Sequence, residues 1–340
     1  MKLTNEQIKT LLTGAVHTEE VDGALRPYRF TAEQIELYVN HRPRFGKRPM
    51  STAGIRLCFK TDSENLFLKM NFSTGASRRY YSVDVFVDGK PLDQMDNFSD
   101  QELPELYTTG EFPLGINSKN FDLGSGTKTV TVYFPWSCST EILEMSLDDG
   151  ASFVPVKRAK KLLAFGDSIT QGYDALRPSN RYASKLADLL EADETNKGVG
   201  GEIFVPDLAE LREDFEPDYI TVAYGTNDWG KSDAPEVLPK NCKQFYETVS
   251  RLYPKAQIFA ITPIWRGDYA TKEVAFGPFE KVAELIREVT APLPNVTVID
   301  GFSFVPGDSK YFADLRLHPN DEGFEHYAKN LYEAIREHLK

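Results

Sequence analysis

Apolar residues recur along this chain with two different periods, and the change of period divides it. Near the start, Leu3, Ile8, Leu11 and Leu12 fall at helical spacing, which predicts a short amphipathic helix within residues 1–12. Between about residues 23 and 147 the period is two. The runs 54–60, 66–72, 81–87 and 128–134 alternate apolar and polar side chains, as strands do when one face is buried and the other solvated. Asp88-Gly89 directly after the third run marks a tight hairpin turn. With the run 141–145 added, residues 1–155 are expected to form an antiparallel β-sandwich of jelly-roll type with almost no helix. The polar interval from 91 to about 125 reads as loop.

After Pro155 the pattern alternates in kind. Continuous apolar runs at 162–165, 219–224, 257–261 and 296–299, with a shorter one near Thr195, are separated by helical periodicity near 180–192, 238–252, 279–289 and 320–339. Strands that are apolar on both faces, interleaved with helices, predict a parallel sheet covered on two sides. The second domain is therefore expected over 156–340, and 340 residues suffice for two cores.

Charge and composition narrow the function. Lys plus Arg total 39 against 51 Asp plus Glu, a net charge of −12, so a polyanion such as nucleic acid is not an expected partner. The basic run 157–161 is read as a linker feeding the first apolar strand of the second domain. Cys58, Cys138 and Cys242 are odd in number and far apart, which suggests neither a disulfide framework nor a zinc site. A polar N-terminus and the lack of any apolar run near ~18 residues argue against secretion and membrane insertion, so a cytoplasmic protein is expected.

A doubly wound sheet points all its strand ends at one edge, where ligands bind. Those ends carry Gly166-Asp167-Ser168, Gly198-Val199-Gly200-Gly201, Gly225-Thr226-Asn227-Asp228-Trp229, Thr262-Pro263-Ile264-Trp265 and a stretch from Phe312 through Asp314 and His318 to Asn320. Taken alone, Ser168 could equally be the cap of the next helix. In company it has a chemical partner. A serine hydroxyl becomes a nucleophile when an oriented imidazole takes its proton, and glycine N–H groups with an asparagine amide can stabilise an oxyanion.

In this order, these blocks resemble the four successive motifs of the SGNH (GDSL-type) hydrolase family, over roughly residues 160–340. The resemblance implies a flavodoxin-like α/β/α fold and ester hydrolysis with no metal or other cofactor. Carried over by position, it makes Ser168 the nucleophile and His318 the base, with the N–H groups of Ser168 and Gly201 and the Asn227 side chain as oxyanion hole. Position 170 is Thr, so the turn is not the Gly-x-Ser-x-Gly elbow of α/β-hydrolases. The family usually writes its last block Asp-x-x-His, whereas Asp314 lies four residues before His318. The extra residue changes which way the carboxylate faces, so Asp314 as third member and a Ser168/His318 dyad both stay open, with Asp308 as a further candidate. Some carbohydrate esterases of this superfamily use such a dyad and resemble this chain in carrying an N-terminal β-sandwich.

Around this core, Trp229 and Trp265 are candidates for an aromatic platform under a sugar ring. Tyr173 and Tyr182 either shape the pocket or pack the core, Trp136 carries no reading, and His17, His41, His326 and His338 read as surface residues. The expected activity is removal of small acyl groups, acetyl first, from a small-molecule or oligosaccharide ester. A lysophospholipase- or thioesterase-type acylhydrolase and a non-catalytic carbohydrate-binding protein are the alternatives.

Overall fold

The computed structural model describes the chain except residues 101–102, 104–106, 231–234 and 340. Its first part contains β1 (Leu12–Thr13), β2 (His17–Val21), β3 (Ala24–Tyr28), β4 (Arg56–Thr61), β5 (Asn65–Thr74), β6 (Ser82–Val87), β7 (Lys90–Asp96), β8 (Gly115–Asp122), β9 (Lys128–Tyr133), β10 (Cys138–Leu147) and β11 (Phe153–Pro155). They form two antiparallel sheets, one ordered β1-β4-β9-β6-β7 with β11 beside β4, the other β2-β3-β10-β5-β8. The inward residues of β5 (Leu66, Leu68, Met70, Phe72) meet those of β4, β6 and β9 (Leu57, Phe59, Val83, Val85, Val130, Val132) in one shared core. Burying each such side chain stabilises the fold by about 1.5–3 kcal/mol, which is why the alternation was so regular. The hairpin at Asp88-Gly89 is formed with both residues at positive φ, 49° and 76°.

Two departures from the expected pattern have physical causes. The interval 91–125 contains most of β7 and all of β8, each the edge strand of a different sheet. Edge strands bury little, here only Met95 and Phe121, so almost no alternation is written into them. A ten-residue helix, Ala32–His41, also interrupts the first part; Thr31 and Gln34 close it with a capping box. Only Gln34 and Tyr38 of this helix are buried. Tyr38 joins Phe30 and Phe45 in the core of the second part, so the helix has no sandwich face to advertise.

The second part is a parallel sheet of β12 (Lys160–Gly166), β13 (Ala192–Asn196), β14 (Tyr219–Ala223), β15 (Gln257–Ile261) and β16 (Val296–Ile299), ordered β13-β12-β14-β15-β16. Neighbours alternate faces. Leu162, Tyr219 and Phe259 pack with the helices Tyr182–Leu189 and Asp321–Arg336, while Leu163, Ile220 and Ile258 pack with Val237–Leu252 and Glu280–Thr290. This is the three-layer α/β/α arrangement with the flavodoxin-like strand order. The basic run before β12 is held by local partners: Arg158 pairs with Asp188 at 2.8 Å and Lys160 with Asp218 at 3.1 Å. Among the described residues no helix is long and apolar enough to cross a membrane.

A fully buried guanidinium is among the groups that join the two parts. From the sandwich side Arg29 donates to Ser51 O at 2.8 Å and Arg48 O at 3.1 Å, and across the seam to Asn196 O at 3.0 Å and Gly198 O at 2.6 Å. Replacing Arg29 by Met would strand these carbonyls without donors in a dry seam. We expect a loss of about 3 kcal/mol or more of unfolding free energy, read from urea denaturation; a change under about 1 kcal/mol would mean that water takes the place of the guanidinium.

Candidate active site

The strand β12 ends at Gly166, where an added Cβ would lie 2.0 Å from Thr170 Oγ1, so only glycine allows the turn to close. Asp167 then caps a single helical turn, Ser168–Gln171, accepting from Ile169 N at 2.9 Å. Capping thus falls to Asp167 and leaves the Ser168 hydroxyl available for other partners. Ser168 is 4% exposed, and its Oγ lies 2.9 Å from His318 Nε2.

The approach of His318 is set by a tight loop from Phe312 to Pro319, closed by a β-bridge between those two residues. Leu315 adopts φ +60° inside it, the left-handed turn that takes up the residue added to the family's spacing. Asp314 consequently faces back. Its Oδ2 is 2.8 Å from His318 Nδ1, and its Oδ1 accepts from the N–H groups of Arg316, Leu317 and His318 at 3.1, 2.7 and 3.0 Å. Burial opposes its ionisation, but the His318 contact and these backbone donors outweigh that and hold its carboxyl well below the usual range. Asp308, by contrast, caps the short turn Ser309–Tyr311 and pairs with Lys310.

A second carboxylate stands at the same nitrogen, one that the pattern of residues did not announce. Asp174 Oδ2 is 3.3 Å from His318 Nδ1, and its side chain has no exposure. Arg78, from the sandwich, holds it in a fork at 2.6 and 3.0 Å, and the Tyr80 hydroxyl donates to it at 3.1 Å. Burial disfavours charge on His318, yet its contacts with Asp174 and Asp314 prevail and raise its pKa to about 9. Tyr173 lies over the imidazole at a ring separation of 5.5 Å, and Trp136 packs behind Tyr173 at 4.9 Å. Asp174 leaves no local trace because its partners Arg78 and His318 lie 96 and 144 residues away and its φ of +72° matches no motif.

The glycine turn after β13 lies beside Ser168. A Cβ on Gly198 would meet Gln171 N at 2.3 Å and one on Gly200 the Tyr173 hydroxyl at 2.4 Å, while Gly201 has φ +80°. The Ser168 N–H is the first of its helical turn, where no intrahelical acceptor exists. Asn227 presents its amide from the end of β14, donating to Glu202 O at 3.0 Å and Asp167 Oδ2 at 3.3 Å. Asp228 accepts from Phe204 N and Gly225 N and so fixes the neighbouring loops.

The two tryptophans separate. Trp229 is fully buried, donates to Gly277 O at 2.8 Å and packs on Phe279, so it is not the aromatic platform expected of it. It lies in the last part of the helical turn Thr226–Gly230, which points the ring into the core. Trp265 is half-buried against Phe312, at the foot of the His318 loop. Tyr182 is core, with its hydroxyl 2.7 Å from Thr170 Oγ1.

Among the described residues, one group of potential metal ligands comes together: Asp174, Asp314 and His318, with donor atoms within 4.8 Å of one another. The set fits a cation poorly. His318 Nδ1 already faces both carboxylates, and the Arg78 guanidinium occupies both oxygens of Asp174.

Residues 164–326 match the GDSL-like Lipase/Acylhydrolase family. Among solved structures, a salicylyl-acyltransferase, SsfX3, from a tetracycline biosynthetic pathway superposes with TM-score 0.81 at 21% identity, over 96% of this chain and 94% of that one. A putative GDSL-like lipase from Bacteroides ovatus gives 0.75 at 20% identity, over 99% and 97%. A family two carbohydrate esterase from Clostridium thermocellum, in complex with cellohexaose, gives 0.65 at 16%, over 85% and 94%. No match is found among curated proteins.

A base must be neutral to accept a proton, so the expectation that His318 is the base predicts, with its pKa near 9, an acidic limb of kcat/KM in the alkaline range and activity falling as the pH drops through it. Asp174→Asn removes one of the two carboxylates that favour the imidazolium and should move that limb to lower pH. A pH–rate profile that does not move would show that Asp174 exerts no field on the imidazole. The sequence blocks, the match of residues 164–326 to the GDSL-like Lipase/Acylhydrolase family and the common fold agree with one another, and together they support an ester hydrolase.

Proposed function

We propose that the protein is a serine esterase that removes small acyl groups, acetyl first, from hydroxyls of carbohydrates. The observation that carries this reading is the line from Ser168 Oγ to His318 Nε2 at 2.9 Å and from His318 Nδ1 to Asp314 at 2.8 Å. In this reading Ser168 attacks the ester carbonyl while His318 takes the hydroxyl proton, and Asp314 holds the Nδ1–H of the imidazolium. The oxyanion is met by the N–H groups of Ser168 and Gly201. The Asn227 amide joins them by exchanging its longer bond, the one to Asp167, for the oxyanion. The imidazolium returns its proton to the leaving alcohol, and water repeats the sequence on the acyl-enzyme to release the acid.

Two features favour a small acyl group. Ser168 has little open surface, and of the large apolar side chains that are exposed only Leu315 belongs to the loop that carries His318. A long acyl chain would find little apolar surface beside the nucleophile. The carbohydrate part draws on the half-exposed Trp265 and on the overall likeness to carbohydrate esterases, one of which was crystallised with cellohexaose. A non-catalytic protein would have no use for the relay of hydrogen bonds at Ser168.

The test is acetate release from acetylated manno- or xylo-oligosaccharides, with p-nitrophenyl acetate as a general ester. Ser168→Ala and His318→Ala should abolish both activities, and Asp314→Asn should lower kcat about 10²–10⁴-fold. An Asp314→Asn enzyme with nearly full activity would leave a dyad. Hydrolysis of p-nitrophenyl acetate alone would keep the esterase and remove those sugars.

A further inference from the structure

Residues 41–48 read His-Arg-Pro-Arg-Phe-Gly-Lys-Arg, a cationic run in a chain of net charge −12. The structure gathers these charges instead of dispersing them. The guanidinium carbons of Arg42, Arg44 and Arg48 lie 5.0, 4.6 and 5.6 Å from the ring centre of the buried Phe45. Cation–π attraction offsets part of their mutual repulsion. Carboxylates offset little more. Arg42 pairs with the buried Glu202, but among the described residues Arg44, Lys47 and Arg48 have no carboxylate within ion-pair distance. The neighbouring cations are engaged elsewhere, Arg78 by Asp174 and Arg79 by Glu111.

These side chains border a hollow of about 320 Å³, formed by residues 43–48 together with Ala76 and Ser77. Both of its walls touch the catalytic constellation. On one side Arg48 Nη1 donates to Gly200 O and lies 3.0 Å from where a Cβ on Gly201 would stand. On the other, Ser77 N–H donates to the Tyr173 hydroxyl at 3.2 Å, and the Tyr173 ring covers His318. The cationic loop is set in advance, since the buried Arg29 donates to its Arg48 carbonyl at 3.1 Å.

We propose that this hollow is a subsite for an anionic substituent, carboxylate or phosphate, carried by the ester substrate, so that the sugar deacylated at Ser168 is an acidic one. The proposal rests on the serine-esterase reading above and adds the charge of its substrate. An arginine fork binds either anion through two charge-assisted hydrogen bonds. The volume, at the small end for ligand pockets, has room for one charged substituent.

The deciding experiment compares kcat/KM for acetate release from three monoacetylated substrates: a methyl glucuronoside, glucose 6-phosphate and a methyl glucoside. At least one anionic ester should exceed the neutral one by about tenfold, and which one does so separates carboxylate from phosphate. Arg44→Ala combined with Lys47→Ala, both at exposed positions, should bring that ratio near one, as should salt at about 0.5 M. Equal rates on charged and neutral esters in the wild type would overturn the subsite. Isothermal titration of Ser168→Ala protein with glucuronate and glucose 6-phosphate gives an answer that needs no turnover. Binding by wild-type cations but not by the double variant would sustain the subsite even if acetylated sugars prove not to be substrates, whereas no binding of either anion would end it.

Discussion

One buried charge fixes the geometry on which the rest depends. Arg29 sits in the seam with no exposure and ties the segment 48–51 of the sandwich side to residues 196–198 of the α/β side. The glycine turn that begins at Gly198 packs on the Thr170–Gln171 backbone beside Ser168, and the loop before Ser51 carries Arg42, Arg44, Lys47 and Arg48. A guanidinium can hold several carbonyls at fixed angles because its donors lie in one rigid plane. With that plane in place, donors on both sides of the seam are positioned before any substrate arrives, and this is the condition for electrostatic stabilisation of a transition state.

Much of this was legible in the residues, and the limits follow from periodicity. β5 and β12 declared themselves because each buries a regular set of side chains, on one face for β5 and on both for β12. β7 and β8 did not, because an edge strand that buries one residue looks like a loop. The helix Ala32–His41 was hidden for a related reason, since its two buried residues serve the other part of the chain. Among the chemical residues, Ser168, Gly201, Asn227, Asp314 and His318 follow strand ends of one sheet and were found together. Asp174 and Arg78 were not, because their meeting is a tertiary event across 96 residues with no local trace. Trp229 was misplaced for a simpler reason: adjacency to a rim motif says nothing about which way a helical turn points its side chain.

The loop holding His318 shows how a spacing can change without changing a contact. One residue more than the usual interval would turn Asp314 away from the imidazole if the backbone stayed right-handed. Leu315 at φ +60° absorbs it, at a conformational cost of order 1–3 kcal/mol that the three N–H bonds to Asp314 offset. Motif spacing is thus a proxy for geometry, and the backbone can restore the geometry by other means.

The pairing of Arg78 with Asp174 has a consequence for how such a protein can evolve. An α/β unit severed from its sandwich would keep Ser168, Asp314 and His318 but would expose a carboxylate beside the imidazole with no cation to balance it. The sandwich is therefore not a module that recombination could exchange for another binding domain. A substitution at Arg78 on one side of the seam is felt at His318 on the other, through Asp174.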